Sequence, residues 1–378
     1  MHRSFHGMAP MRRKLLETEC VMLALLLAAC RSATPESPAP PPAKDAGSQA
    51  PQTATSFDEI RTWPLGIAKQ FVLYDLGTGY LSAPEGIHVD DTWVYWTQGT
   101  RLFRAAKDGS STPELFGNYP GSNLGEHIVT DADYVYWIAH AKLLRRSKAG
   151  GDVQTISLPG DYQDGAIATG GGFVYLARWG CRTITRFDAK SLESETIDLE
   201  VDQPLASTTK LVADGDALYC GSWGAVYAIP SWHAQPLRPV DSATRIDGLV
   251  VHEGNAYWLD NRNPRDSVIG SIPLAGGEYQ LLSITSMIAS TWLTVDRSGS
   301  RLFYIMGSWL ISFSIPERRY SWFAKDWFVR QIAIDDRFIY WPHHELLMGN
   351  DKPERGQIMR LPLDHTPVLT VDPASITP

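Results

Sequence analysis

A seven-fold internal repeat constrains this chain more than any other feature. The segments IHVDDTWVYWT (from residue 87), IVTDADYVYWI (128), IATGGGFVYLA (167), LVADGDALYCG (211), LVVHEGNAYWL (249), LTVDRSGSRLFYI (293) and IAIDDRFIYWP (332) share one grammar. Each opens with apolar-polar alternation, turns on Asp, Gly, Glu, Asn or Ser, and resumes as an apolar-aromatic strand. The common aromatic falls at Tyr95, Tyr136, Tyr175, Tyr219, Tyr257, Phe303 and Tyr340, at intervals of 37 to 46 residues with a mean of about 41, the period of propeller blades. A third strand follows in each unit (RLFRAA, KLLRRS, TITRFD, AVYAIP, VIGSIPL, LISFSIP, QIMRLPL), then a second turn and a weaker fourth strand. The expectation is an all-β fold: a seven-bladed propeller of four-stranded blades, with strands A to D numbered outward, closed by radial repetition.

The tyrosine-tryptophan pairs of strand B have a packing explanation. Successive side chains point to opposite sides of a strand, and a blade is buried on both faces by its neighbours. One pair therefore fills two inter-blade gaps. QFVLYDL, residues 70–76, precedes the first unit and is expected beside the last blade as a latch, while PVLTVD near the C-terminus is expected to be the last unit's own late strand.

The N-terminus reads as an address. In MRRKLLETECVMLALLLAAC, residues 11–30, three basic residues lead into the apolar run Val21–Ala29. That run is too short for a bilayer core, which needs about 20 residues, and it has the order of a secretory signal. LAAC resembles the lipobox of bacterial lipoproteins. The resemblance implies cleavage before Cys30, lipid on its thiol and attachment to the membrane through that lipid. Arg31, where an Asp would favour inner-membrane retention, implies the outer membrane. Residues 31–56 hold six prolines among Ala and Ser, a composition that builds no core and makes an extended tether. The division is a signal peptide at 1–29, lipidated Cys30 and linker at 30–56, and the propeller at 57–378.

VYWT preceded by DDTW resembles the YWTD-type propellers, and residues 57–378 resemble the propeller domains of bacterial envelope lipoproteins. No unit carries a complete YWTD, so the resemblance implies fold and not chemistry.

Residues 1–29 carry four basic and two acidic residues, so their removal takes the formal charge from −8 to −10. That balance argues against a nucleic-acid partner, which needs clustered Lys and Arg. Cys181 and Cys220 remain after processing, and two readings stay open: a disulfide between neighbouring units, as an oxidising compartment favours, or two buried thiols.

Candidate chemistry lies where the D→A and B→C connections share one face. Two B→C loops are long, DNRNPRDS at 260–267 and PHHELLMGNDKPERG at 342–356. Just before the A strands stand Glu85, Glu126 with His127, Asp164, Asp247 and Arg330. The four carboxylates are candidate ligands for Ca²⁺, which takes six to eight oxygens, with His127 as a proton carrier; no other cofactor is indicated. Four residues beyond the register aromatics stand His140, Trp179, Trp223, Asn261 and His344. With Arg262 they form a candidate binding face for an envelope protein or glycan. His343 and His344 are neighbours on an extended segment and should point opposite ways. No phosphate loop or nucleophile elbow is present. The favoured expectation is a binding module without catalysis; the alternative is a metal-assisted hydrolase or lactonase at the channel mouth.

Overall fold

A computed structural model describes residues 71–371, apart from 79–82, 120–126, 140, 159–164, 179–180, 200–209, 223–224, 230–234, 240–245, 264–265, 286–288, 307, 327–328, 330, 346–354 and 368. The expected signal peptide, Cys30 and the expected linker lie outside the described residues.

Seven antiparallel sheets form a ring, and each is built from one sequence unit. The first runs Ile87–Val89, Trp93–Gln98, Arg101–Ala106, Glu114–Asn118. The remaining blades repeat this order. The seven innermost strands touch in sequence order, and the last meets the first. A-B turns and C-D turns lie on one face of the ring; D→A and B→C connections lie on the other.

The ring closes through the N-terminal strand. Val72–Thr78 is the outermost strand of blade seven, antiparallel to Arg355–Pro362. Asp75 and Arg355 form an ion pair across this junction, and the Tyr74 hydroxyl reaches into blade one, donating to the Ala106 carbonyl. The late strand corrects the sequence expectation. Leu369–Val371 does not complete blade seven, where the latch already occupies the outer edge. It pairs with Arg319–Lys325 as a fifth strand on blade six.

The buried apolar side chains separate into one cluster per seam between blades. Tyr95 packs with Phe116, Ile128 and Trp137 between blades one and two. Its neighbour Trp96 packs with Tyr74, Tyr340 and Ile358 between blades seven and one. Tyr136 then enters the next seam, with Ile167 and Leu176. The pairs therefore plug two seams at once, as alternation requires. Trp96, Trp137, Trp258 and Trp341 are all but excluded from solvent.

A polar belt ties the seams at the A-B face. In blade one, Asp90 Oδ1 accepts the turn amides of Thr92 (2.9 Å) and Trp93 (2.7 Å), and Oδ2 accepts the Tyr95 hydroxyl (3.0 Å). Lys148 from blade two lies 2.8 Å from the same Oδ2. Asp131–Tyr136 and Asp335–Tyr340 repeat the bond, and Lys107 of blade one pairs with Asp335 of blade seven. Above it, arginines at the fourth position of strand C lie over the aromatic that starts strand B: Arg104 over Trp93 at 4.3 Å, Arg145 over Tyr134 at 4.4 Å, Arg186 over Phe173 at 4.8 Å and Arg360 over Phe338 at 4.5 Å. Three of these guanidinium groups also donate to a C-D-turn carbonyl of the next blade: Arg104 to Lys148, Arg145 to Ala189 and Arg360 to Lys107.

Candidate functional site

The inner strands line a central cavity of about 360 Å³, within the size range of small-molecule sites. Its wall is set by register. The residues paired with the register aromatics are His88, Val129, Ala168, Val212, Val250, Thr294 and Ala333. Two positions earlier in each blade, toward the D→A face, stand Gly86, His127, Ala166, Lys210, Gly248, Trp292 and Gln331. The cavity thus has a polar rim of His127, Lys210, Trp292 and Gln331 above walls of Ile, Leu, Val and Ala interrupted by His88, Thr169 and Thr294.

Each rim residue is held differently. The Lys210 ammonium lies 4.9 Å from the Trp292 ring centroid, across the channel from blade four to blade six. Gln331 is 4% exposed, and its Oε1 accepts the Ile87 amide at 2.8 Å; this bond joins blade seven to blade one and leaves the amide NH₂ as the group for the cavity. Burial, followed by the Lys210 charge, pushes the His127 imidazole down to about 4, so it is neutral at pH 7. Deeper, burial also takes His88 to about 4, and its Nε2 lies 3.2 Å from Thr130 Oγ1. Among the described residues, no carboxylate lines the cavity.

Of the carboxylates expected to gather at the mouth, Glu85 and Asp247 stand one position before the rim residues Gly86 and Gly248. Asp247 is fully buried, and its Oδ2 accepts the Asn261 amide at 3.1 Å, which braces the top of blade five. Glu85 is partly buried at the equivalent place in blade one. Glu126, Asp164 and Arg330 lie outside the described residues. Among the described residues, no three His, Cys, Asp or Glu side chains gather as a metal site.

Of the expected binding face, His140, Trp179 and Trp223 lie outside the described residues, as does the side chain of Arg262. Asn261 turns inward, with its Oδ1 accepting the Ser267 hydroxyl at 2.5 Å. His344 is partly buried on the blade-seven hairpin. His343 and His344 do part company: His343 Nδ1 lies 2.8 Å from the buried Asp326 Oδ2, which also accepts Trp341 Nε1 at 2.9 Å.

Both long B→C loops open and close on ladder pairs. Blade-five strands run Asn255–Asn263 and Asp266–Pro273, paired out to Asn263 and Asp266. Blade-seven strands run Phe338–Glu345 and Arg355–Pro362, paired to Glu345 and Arg355. Polar side chains hid these extensions, because ladder hydrogen bonds are made by the backbone and need no apolar alternation in a hairpin that projects past the core. Cys181 and Cys220 are joined in a buried disulfide between blades three and four.

Of the rim, only His127 was named from the sequence; Lys210, Trp292 and Gln331 were missed because the members are spread from residue 127 to 331 and form no motif. Aligning on the pairing position of strand A, rather than on the residues before the strand, would have found them. The belt arginines had a plainer signal, recurring at Arg104, Arg145, Arg186 and Arg360 in strand C.

No protein-family model matches the chain, and no curated protein matches it in sequence. Solved structures do match. One is the extracellular domain of a putative hybrid two component system from B. thetaiotaomicron, with TM-score 0.55, 13% identity, and 76% of this chain and 40% of that chain covered. The chain thus spans about two fifths of the length of that protein. The WD40 domain of Neurospora crassa Pan2 matches with TM-score 0.56 and 9% identity, over 81% of this chain and 100% of that one. U3-55K matches with TM-score 0.56 and 12% identity, over 78% and 100%. At such identities the likeness shows the fold alone, and that fold is the seven-bladed β-propeller.

Proposed function

We propose that this chain is a lipid-anchored propeller of the bacterial envelope, held to the outer membrane through Cys30 and its linker, with a protein or glycan ligand bound at the face of the B→C and D→A connections. The role is binding without catalysis. The observation that carries it is the central cavity, whose polar rim opens on the same face as the projecting hairpins of blades five and seven. The LAAC sequence supports the anchor, DDTWVYWT supports a YWTD-like repeat, and the likeness to a bacterial extracellular domain fits display outside the cytoplasm.

Two measurements test it together. Cys30→Ser should move the protein from the membrane fraction to the soluble fraction. Pull-down and glycan-array signals should be lost when residues 346–354 are replaced by a two-residue turn. Signals that survive that replacement would place the ligand elsewhere.

A further inference from the structure

We infer that the Cys181–Cys220 bridge is a redox-dependent closure device. The seam between blades three and four, and with it one wall of the central cavity, becomes tight only when the two thiols are oxidised, and the closed ring then shields the bridge from reduction. This concerns when the cavity is formed and not what fills it, and it is independent of the ligand proposed above.

The bridge has a telling place in the repeat. One residue beyond the register aromatic, the strand-B side chain that faces the preceding blade is a tryptophan in four blades, and Leu176 or Tyr304 in two more. In blade four it is Cys220, which shares its seam with Cys181 and the small side chains of Ala166, Ala168, Ala177 and Ala225, beside Tyr175 and Tyr227. A disulfide thus stands where other seams carry a large plug. Two free thiols need more separation than a bonded pair, and both residues are fully buried, so reduction strains or parts the blades at this end of the seam. The other end is already in close contact: a Cβ on Gly170 would lie 2.6 Å from Ala213 Cβ, and one on Gly171 2.7 Å from Asp216 Oδ1. Cys181 also has a φ of 71°, a left-handed backbone that residues with a Cβ seldom adopt and that persists where the surroundings hold it. With the bridge cut, that backbone is free to relax just ahead of strand C of blade three, Thr183–Asp188.

The seam is joined to the cavity. Leu211 pairs with Cys220 between strands A and B of blade four. Leu211, Ala166, Ala168 and Ala213 belong both to this seam cluster and to the cavity lining, so looseness at the bridge reaches the cavity wall. Access to the sulfurs sets the timing. Thiol–disulfide exchange needs a thiolate in contact with a sulfur, and both cysteines are 0% exposed. The redox state is therefore fixed while the chain folds and kept afterwards. Closure is a two-electron step with a disulfide oxidant such as glutathione disulfide. The Cys181 and Cys220 thiols give up two electrons and two protons as their S–S bond forms, and the oxidant's S–S bond breaks to two thiols. A reducing compartment withholds that bond and an oxidising one supplies it.

The test uses the full-length chain with Cys20→Ser and Cys30→Ser, so that only one thiol pair can react. The chain is unfolded and reduced, then refolded with either a phosphine reductant or glutathione disulfide, and hydrogen–deuterium exchange is read blade by blade. Under reductant the amides of Thr183–Asp188, Lys210–Asp214 and Ala217–Ser222 should exchange at least about ten-fold faster than in the oxidised chain, whereas those of Trp93–Gln98 and Arg301–Met306 should stay within about two-fold. Adding Cys181→Ser and Cys220→Ser should reproduce the reduced pattern under either condition. Once oxidised and folded, the protein should release thiols to dithiothreitol at least about ten-fold more slowly than the urea-unfolded chain does. Equal exchange in the two arms, an increase spread evenly over all blades, failure of both the reduced chain and the serine pair to fold, or thiol release as fast from folded as from unfolded protein would each overturn the inference. Absent pull-down and array signals alongside the expected exchange pattern would overturn the protein or glycan ligand and leave the closure device standing.

Discussion

Replacing Asp90 by alanine removes one carboxylate that four groups use at once: the amides of Thr92 and Trp93, the Tyr95 hydroxyl and the Lys148 ammonium. The losses differ. The two amides lie in a turn that water can reach, so losing this cap should cost about 1 kcal/mol, like a helix cap. Lys148 is one-fifth exposed, so its pairing adds at most about 1 kcal/mol. Tyr95 is fully buried, and stranding its hydroxyl costs about 1–3 kcal/mol. The sum is about 2–5 kcal/mol, read as a lower urea midpoint at unchanged slope. Asp91→Ala, one residue along on an exposed side chain, should stay within about 0.5 kcal/mol. Adding Tyr95→Phe to Asp90→Ala should cost nothing further, because the stranded hydroxyl is gone; the pair should couple by about 1–2 kcal/mol. The pH dependence has a definite sign. Burial works to raise the Asp90 carboxyl, but bonds from Lys148 and the turn amides outweigh it and hold the group below its ordinary 3.8. Its contribution is therefore complete above about pH 4 and fades as the pH falls through the depressed folded value; Asp90→Ala should show a shallower acid transition. A cost under 1 kcal/mol, or strict additivity with Tyr95→Phe, would refute the idea that one carboxylate locks turn, seam and neighbouring blade together.

Three further outcomes follow from the packing. Cys181→Ser with Cys220→Ser opens a loop of 39 residues and should lower stability by about 2–4 kcal/mol in denaturant unfolding. Gly270→Ala sets a Cβ 2.3 Å from the Trp258 ring and should cost about 1–3 kcal/mol, with a shift in tryptophan emission. Deleting Val72–Thr78 removes the outer strand of blade seven and uncovers Ile358 and Trp96 beneath Tyr74. Limited proteolysis should then cut first near blade seven, whereas an unchanged pattern would show that the latch is dispensable.

The blades were legible because the cause of the fold is periodic. Both faces of every sheet are buried, so each strand B must be apolar on both sides, and Tyr95–Trp96, Tyr136–Trp137 and Tyr340–Trp341 achieve this with paired aromatics. The latch was legible for a related reason: QFVLYDL stood outside any unit. Its C-terminal counterpart was not, because an outer blade edge offers only backbone partners and little side-chain specificity, so LTV could add to any free edge; with blade seven already latched, blade six took it. The candidate site was least legible. Its rim is assembled by ring closure from residues as remote as His127 and Gln331, and of the carboxylates that drew attention, Glu85 and Asp247 sit one step above it, with Asp247 bracing its own blade.

The latch also ties closure of the ring to its last blade. The opening strand takes its ladder from residues about 280 positions downstream, and a chain interrupted before Arg355 lacks that ladder. Completion of synthesis is thereby checked by the architecture itself: an unfinished copy keeps a ragged, unzipped margin, and only a finished one becomes a sealed disc.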